Sequence, residues 1–147
     1  MPDWLISFFV HPFTLVMIGG GVGANARYWL GHYFAEWQLR RFGAIEFPWA
    51  TFIINVSGSI ILGFVAASFL HQPDPLHPDP VRKNWYLLLA TGFCGGFTTF
   101  STFSYEAVKL LQDERYWAAL AYVFGSVAAG LLGLWLALKL AGDKPIG

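Results

Sequence analysis

The sequence predicts an all-α membrane protein that forms a single domain over residues 1–147, with four transmembrane helices per subunit and the third broken near its middle. Hydrophobic residues make up 56% of the chain and charged residues only 12%, about half the share found in soluble domains. Four runs are long and apolar enough to cross a bilayer, at residues 13–34, 47–70, 85–111 and 116–138. Residues 91–104 differ from the rest: six hydroxyl residues, three glycines and four phenylalanines favour neither a regular helix nor burial in lipid.

The N-terminal part of the chain combines an apolar segment with a buried charge. Residues 4–10, closed by His11 and Pro12, indicate an interfacial helix, and without signal-peptide features we expect this segment to be retained. The first span contains a glycine cluster and, roughly two turns inside it, Arg27. An arginine at that depth is costly unless it pairs, meets water or snorkels to the interface. Arg27 is therefore either a snorkelling side chain or a fixed positive charge that draws anions into a vestibule.

The second span carries one polar and small face. A polar loop is expected before it, with Glu36, Arg40, Arg41 and Glu46. Within the span, residues at intervals of four share a face, namely Thr51, Asn55, Ser59 and Gly63. Packing through small residues explains such a stripe. Asn55 resists that explanation, because its amide needs partners in hydrocarbon and can donate two hydrogen bonds to an anion.

The fourth span repeats this pattern with Tyr122, Ser126 and Gly130, again four apart. Either helix packing or a hydroxyl lining explains it. Before the third span, residues 71–80 hold four prolines, which exclude a helix and favour an extended loop.

The third span is predicted to break between Gly95 and Thr98, because Gly95 and Gly96 weaken the helix beside hydroxyl groups that can bond freed backbone groups. Broken membrane helices use such ends to hold ions, with carbonyls for cations and N–H groups for anions. Beyond the break, Phe100, Phe103 and Glu106 share a face. A phenylalanine stripe is usually core, but the electropositive edge of a ring can also face an anion.

The basic residues are balanced between the two membrane faces, with four on each in the predicted topology. Orientation normally follows an imbalance of Lys and Arg. A chain without such an imbalance can insert into the membrane in both orientations, so that two oppositely oriented copies pair antiparallel. The alternative is that a single charge or the translocation machinery decides the orientation.

Other site types are weakly supported. A glycine pattern at residues 19–24 lacks the strand, turn and helix of a dinucleotide site. Four residues of the proline-rich loop are more typical of solvated turns than of a metal site, namely His71, Asp74, His77 and Asp79. Cys94, the single cysteine, indicates packing rather than a thiol nucleophile. We therefore expect no enzyme.

Three motifs together resemble the Fluc (CrcB) family of fluoride channels. They read G-x-x-G-A-x-x-R-Y, F-P-W-A-T-F-I-I-N and G-F-C-G-G-F-T-T-F-S-T-F-S, and the similarity covers roughly residues 19–136. The resemblance implies an antiparallel, dual-topology homodimer with two fluoride pores. This chain differs from some members of the family at Gly130, where they have a hydroxyl residue, and at Ile53, where they have threonine.

The resemblance also implies residue roles. Phe100 and Phe103 match the aromatic pair that lines the fluoride path, Asn55 matches the asparagine that orients them, and Arg27 matches the vestibule arginine. The backbone carbonyls of Gly95 and Thr98 match the ligands of a structural sodium ion at the dimer centre, two from each subunit. Other matching polar residues along the path are Thr51, Thr102, Glu106, Tyr122 and Ser126.

The sequence thus predicts a passive, fluoride-selective channel, a multi-pass protein of a bacterial cytoplasmic (inner) membrane that reduces cellular fluoride toxicity. The alternative is a small dual-topology, proton-coupled drug exporter. That mechanism needs an acidic residue deep in a helix, whereas this chain has Arg27 in its first span and Glu106 near a helix end. A non-transporting assembly subunit explains the glycines but neither Arg27 nor Asn55.

Overall fold

The protein, described by a computed structural model over residues 10–70 and 79–142, is helical throughout its regular structure in these two ranges. Four rods are present, and the third is interrupted, which divides it into α3 and α4. The predicted interfacial segment falls on residues outside the described ranges except Val10, and so does the predicted loop except Asp79 and Pro80. The helices are α1 (Pro12–Phe42), α2 (Trp49–Leu70), α3 (residues 80–97), α4 (Phe100–Gln112) and α5 (Tyr116–Gly142).

The first helix is longer than predicted, because the expected polar loop is helical as far as Phe42. Glu36 binds both His32, at 3.0 Å, and Arg40, at 2.7 Å, each one helical turn away. Gly43 then ends the helix in the left-handed conformation at φ 73° and donates its N–H to a carbonyl in the last turn. At 31 residues α1 is about 46 Å long, well beyond the roughly 30 Å of a hydrocarbon core.

Glycines let α1 lie directly against α3. A Cβ on Gly92 would come within 3.0 Å of the Gly19 Cα, and a Cβ on Gly96 would clash with the Gly20 carbonyl. Such close backbone approach is the usual basis of helix association in membranes. Part of α3 is also wound as a π-helix, over Leu87–Cys94, between the α-helical parts Pro80–Tyr86 and Gly95–Phe97.

The second major contact joins α2 to α5. A Cβ on Gly63 would meet the Leu134 carbonyl at 2.8 Å, so the two helices approach closely at this level. A small core forms at one end of the bundle, where Leu110, Ala119 and Tyr122 are buried against Phe47 and Phe103. These contacts hold α2, α4 and α5 together around the polar residues described below.

The outer surface of several described helices carries large, exposed apolar side chains. Two described segments are long and apolar enough to cross a membrane by themselves, Trp49–Phe69 and Tyr116–Gly142. The other two described rods do not contain such an uninterrupted apolar segment, because α1 carries charged residues in its second half and the third rod is interrupted. That all four rods cross the bilayer stays a prediction.

Candidate functional site

The third rod is interrupted at two extended residues, Thr98 (ψ 161°) and Thr99 (φ −151°). The break therefore lies at the C-terminal end of the predicted segment Gly95 to Thr98, since Gly95 and Gly96 remain helical. As predicted, a hydroxyl group bonds the freed backbone: the Thr99 oxygen accepts the Thr102 N–H at 3.2 Å. Thr99 is thus the N-cap of α4. The Thr98 hydroxyl instead donates at 2.8 Å to the Cys94 carbonyl, which also keeps its helical hydrogen bond from the Thr98 N–H at 3.0 Å.

Asn55 of α2 holds the break from one side. The Thr99 N–H donates to Asn55 Oδ1 at 2.9 Å, and Asn55 Nδ2 donates to the Thr99 carbonyl at 3.2 Å. In an unbroken α-helix the Thr99 N–H would donate to the Gly95 carbonyl instead. The side chain of Asn55 therefore replaces a helical hydrogen bond and frees that carbonyl. One amide hydrogen of Asn55 remains for another acceptor.

Arg27 of α1 reaches the break from the other side. Its Nη1 donates to the Thr98 carbonyl at 3.1 Å, in a half-buried position. The guanidinium is thus directed at the break rather than along the helix towards an interface. Together Arg27 and Asn55 satisfy backbone groups that the interruption of the helix exposes.

Glu106 of α4 accepts two hydroxyl hydrogen bonds. The Thr51 hydroxyl donates to Oε1 at 3.0 Å, and the Tyr122 hydroxyl donates to Oε2 at 2.7 Å. Thr51 is 4% exposed and Tyr122 is fully buried. Hydrogen bonds to an ionised carboxylate are among the stronger ones in proteins, so this cluster ties α2, α4 and α5 at one level of the bundle.

Two clefts meet at the break. The first, of about 540 Å³, is here called the arginine cleft, and its lining includes Arg27, Thr51, Thr99, Thr102 and Glu106. The second, of about 400 Å³, is called the phenylalanine cleft, and its lining includes Asn55, Ser59, Gly95, Thr98, Thr99, Phe100, Phe103 and Ser126. Thr99 lines both clefts, so the held break is the point that separates them.

The aromatic pair lies at the start of α4. The ring centroids of Phe100 and Phe103 are 5.9 Å apart, and the Phe103 ring lies 5.0 Å from that of Tyr122. Phe103 is half-buried, whereas Phe100 is 80% exposed. Across the cleft, the buried Ser126 hydroxyl finds no hydrogen-bond partner within the described ranges. An unpartnered buried hydroxyl marks a place where a ligand or water can bind.

The eleven predicted site residues come together. Four line the arginine cleft, six line the phenylalanine cleft, and Tyr122 reaches the arginine cleft through Glu106. Thr99 and Ser59 were not predicted as site residues. Ser59 shares the stripe of Asn55, and Thr99 belongs to the hydroxyl-rich stretch, but neither pattern indicates the contacts found here.

The donors available for a cation at the break are backbone carbonyls. The Gly95 carbonyl is released by the Asn55 contact, and the Thr98 carbonyl accepts from Arg27 through one of its two lone pairs. Carbonyl oxygens suit a hard cation such as sodium, so the donor type fits. Within the described ranges no group of His, Cys, Asp and Glu could hold a metal. Of the four loop residues whose side chains are potential metal ligands, only Asp79 lies within them.

Most of the chain is similar to one known protein family. The model of the family described as "CrcB-like protein, Camphor Resistance (CrcB)" matches residues 14–138. The "Fluoride-specific ion channel FluC" of Oceanobacillus iheyensis is 42% identical over 127 residues, which cover 86% of this chain and 88% of the relative. "Fluoride-specific ion channel FluC 2" of Rhodococcus jostii is 40% identical over 126 residues, 86% and 95% of the two chains. "Fluoride-specific ion channel FluC 1" of Leifsonia xyli subsp. xyli is 44% identical over 125 residues, 82% of each.

Proposed function

The chain belongs to the CrcB family, and from that premise we propose that it is a passive, fluoride-selective channel. The observation that carries the proposal is the match over residues 14–138, together with relatives at 37% to 44% identity that are named fluoride-specific ion channels. A channel is not an enzyme, so the residues of the site bind and release an ion without forming a covalent bond.

The anion enters through the arginine cleft. Fluoride is small, hard and strongly hydrated, and it gives up water only where other donors replace it. The positive charge of Arg27 raises the local concentration of anions, and the hydroxyl of Thr102 lies in the same cleft. The anion is therefore attracted by the charge of Arg27 before it exchanges its water for the donors of the narrow part of the path.

Glu106 holds two hydroxyl donors, those of Thr51 and Tyr122, beside the arginine cleft. Its carboxylate accepts from Thr51 and Tyr122, and fluoride is an acceptor of similar hardness. A passing ion takes one of these hydroxyl hydrogen bonds in exchange for the one to Glu106, so neither the Thr51 nor the Tyr122 hydroxyl is unpaired in the resting state. The negative charge of Glu106 also prevents an anion from resting there too tightly, as conduction requires.

The phenylalanine cleft forms the narrow part of the path. Asn55 has one amide hydrogen that the Thr99 backbone does not use, and the Ser126 hydroxyl lies buried opposite. The rings of Phe100 and Phe103 present electropositive edges. Chloride is larger and more weakly hydrated, so it gains less from these few short-range donors and fits the path poorly.

The Gly95 and Thr98 carbonyls, two from each subunit, would hold a sodium ion at the dimer centre. Its positive charge would offset the carbonyl dipoles left by the break. Support comes from the Gly95 carbonyl, which loses the Thr99 N–H to Asn55. Arg27 donates to the Thr98 oxygen, whose second lone pair would remain for the ion.

Two chains assemble as an antiparallel, dual-topology homodimer. Three observations favour it: the balanced basic residues, the 80% exposure of Phe100, and the place of that exposed ring in the lining of a cleft. A pore-lining aromatic that faces outward in one chain is completed by a second chain. The dimer lies in a bacterial cytoplasmic (inner) membrane as a multi-pass protein, and it lets accumulated fluoride leak out.

Fluoride release from liposomes tests the function. Purified protein is reconstituted into vesicles loaded with potassium fluoride, and efflux after addition of valinomycin is followed with a fluoride electrode. Fast fluoride release with little chloride release from matched vesicles supports the proposal. No fluoride release, or equal chloride release, contradicts it, and proton-coupled uptake of an aromatic cation would favour the exporter instead.

A further inference from the structure

We propose that Ser59 of α2 is a binding residue of the fluoride path, and that it supplies the hydroxyl that α5 lacks at Gly130. The inference rests on the proposed fluoride function and names a residue that the sequence motifs do not mark as part of the site.

Ser59 lies in the same cleft as the aromatic pair. Its side chain lines the phenylalanine cleft together with Asn55, Phe100 and Ser126. It stands one helical turn after Asn55 on α2, about 6 Å along the helix axis. A hydroxyl at this position extends the row of donors beyond Asn55.

Gly130 lies directly opposite Ser59. The α5 hydroxyl row of Tyr122 and Ser126 stops there, because the next position one turn on is a glycine. A Cβ built on Gly130 would lie 3.4 Å from the Ser59 Oγ and 4.0 Å from the Ser59 Cβ. The Ser59 hydroxyl thus borders the space that a side chain at position 130 would take.

The Ser59 hydroxyl is available to an ion at small cost. It donates to the Asn55 carbonyl at 2.8 Å, but that carbonyl also accepts the helical N–H of Ser59. If the hydroxyl rotates towards an anion, the carbonyl keeps one partner. The buried Ser126 hydroxyl lines the same cleft, one turn before Gly130 on α5, and has no partner in the described part of the chain. The cleft therefore already holds one hydroxyl that is free to bind an anion.

Ser57 is a matched control on the same helix. Its hydroxyl also bonds a carbonyl one turn back, that of Ile53 at 2.6 Å, yet Ser57 is not among the residues that line the phenylalanine cleft. Ser57→Ala removes the same kind of back-bond without removing a donor from the path.

The test compares fluoride efflux of five proteins at equal amounts in liposomes: wild type, Ser57→Ala, Ser59→Ala, and Ser59→Ala combined with Gly130→Ser or with Gly130→Ala. Loss of one donor is expected to slow Ser59→Ala by roughly threefold to tenfold, while Ser57→Ala matches wild type. With the Ser59 oxygen removed, a side chain at position 130 meets the residue 59 Cβ at an ordinary contact distance. The Gly130→Ser double variant should therefore recover to within about twofold of wild type, and the Gly130→Ala double variant should not.

The two double variants differ only by one hydroxyl, so their difference reports that group rather than packing. If Ser59→Ala conducts like wild type, or if both double variants behave alike while they elute as intact protein, the inference is overturned. If the double variants do not fold, the comparison of Ser59→Ala with Ser57→Ala decides alone. A wild-type protein that releases no fluoride overturns the proposed function itself, and this inference with it.

Discussion

Asn55 and Thr99, 44 residues apart, exchange two hydrogen bonds through one side chain and one backbone unit, at 2.9 Å and 3.2 Å. The side chain amide thereby acts as the partner that a neighbouring helical turn would otherwise supply. The third rod can end at Phe97 and begin again at Phe100 without leaving the N–H and carbonyl of Thr99 unpaired in an apolar bundle. The break and the residue that holds it thus depend on each other.

Replacing Asn55 should therefore damage both stability and conduction. Asn55→Ala leaves the Thr99 N–H and carbonyl without that partner, which we expect to cost about 1 to 3 kcal/mol, and it removes a donor from the path. Asn55→Asp keeps an acceptor for the Thr99 N–H but sets a second acceptor against the Thr99 carbonyl and a negative charge in an anion path. We expect fluoride efflux to fall at least tenfold in both, with a lower thermal unfolding midpoint for Asn55→Ala.

Asn25→Ala serves as the control for this pair. The Asn25 amide donates only to the Gly21 carbonyl one turn back, at 2.8 Å and in an exposed position. Its loss should change neither efflux nor the unfolding midpoint appreciably. An Asn55→Ala protein that matches Asn25→Ala in both measurements would show that the break does not need the amide.

Arg27 should act on conduction through its charge as well as its hydrogen bond. Arg27→Lys keeps a positive donor near the Thr98 carbonyl, whereas Arg27→Gln keeps only a neutral donor. At about 10 mM salt the Debye length is roughly 30 Å, against roughly 10 Å at 100 mM. We expect Arg27→Gln to slow fluoride efflux severalfold at low salt and less at high salt, while Arg27→Lys retains most of the rate at both.

The control for charge is Arg41→Gln, since Arg41 lies on the same helix over the Phe42 ring, at 5.9 Å from its centroid, and outside the arginine cleft. It should leave the rate and its salt dependence unchanged. If Arg27→Gln loses the same fraction of the rate at every salt concentration, the role of Arg27 is confined to its hydrogen bond at the break.

The sequence predicts the helical class and the broken third rod because both follow from composition. Apolar runs long enough to cross a bilayer satisfy their backbone in lipid as helices, and glycines beside threonines weaken one of them. The sequence also indicates that Asn55 needs a partner, because an amide in hydrocarbon does. It does not show that the partner is the Thr99 backbone, since that pairing depends on how α2 packs against the interrupted rod.

The exact residues of the break and the length of α1 depend on contacts between helices and within α1, which the sequence does not show. Gly95 and Gly96 stay helical, and Gly96 is explained by packing, because a Cβ there would clash with the Gly20 carbonyl. The charged residues after position 35 look like a loop by polarity, yet the pairing of Glu36 with Arg40 and the left-handed Gly43 cap support a helix. In both cases a contact outweighs a local preference.

The Tyr122 hydroxyl should matter more than a buried tyrosine ring alone. Tyr122→Phe keeps the ring against Phe47 and Phe103, at 5.6 Å and 5.0 Å between centroids, and removes one of two hydroxyl donors to Glu106. We expect a loss of about 1 to 3 kcal/mol in the free energy of unfolding and slower fluoride efflux. The exposed Tyr105 on α4 provides the control, because Tyr105→Phe should change neither quantity. Equal behaviour of the two variants would argue against a donor role for Tyr122.

Sodium removal tests the carbonyl site separately from conduction. Exhaustive dialysis into N-methyl-D-glucamine buffer should lower the thermal unfolding midpoint, and added sodium should restore it with a saturating dose response, because an ion that binds only the folded state stabilises it by mass action. Potassium at the same ionic strength controls for screening. An unfolding midpoint that is indifferent to sodium over that range would contradict a cation at the Gly95 and Thr98 carbonyls.

The exposure of the Phe100 ring predicts that two chains assemble. In one chain this ring is 80% exposed at the edge of the phenylalanine cleft, so a second chain should cover it. Light scattering in detergent should give a protein mass near twice the 16.4 kDa of one chain. Phe100→Asp should shift the protein towards monomer and abolish fluoride efflux, since it places a charge in the interface and in the path. Phe124→Asp, on the exposed surface of α5, controls for the effect of a charge on any apolar surface. A wild-type protein of single-chain mass that still releases fluoride would exclude the dimer as the conducting unit.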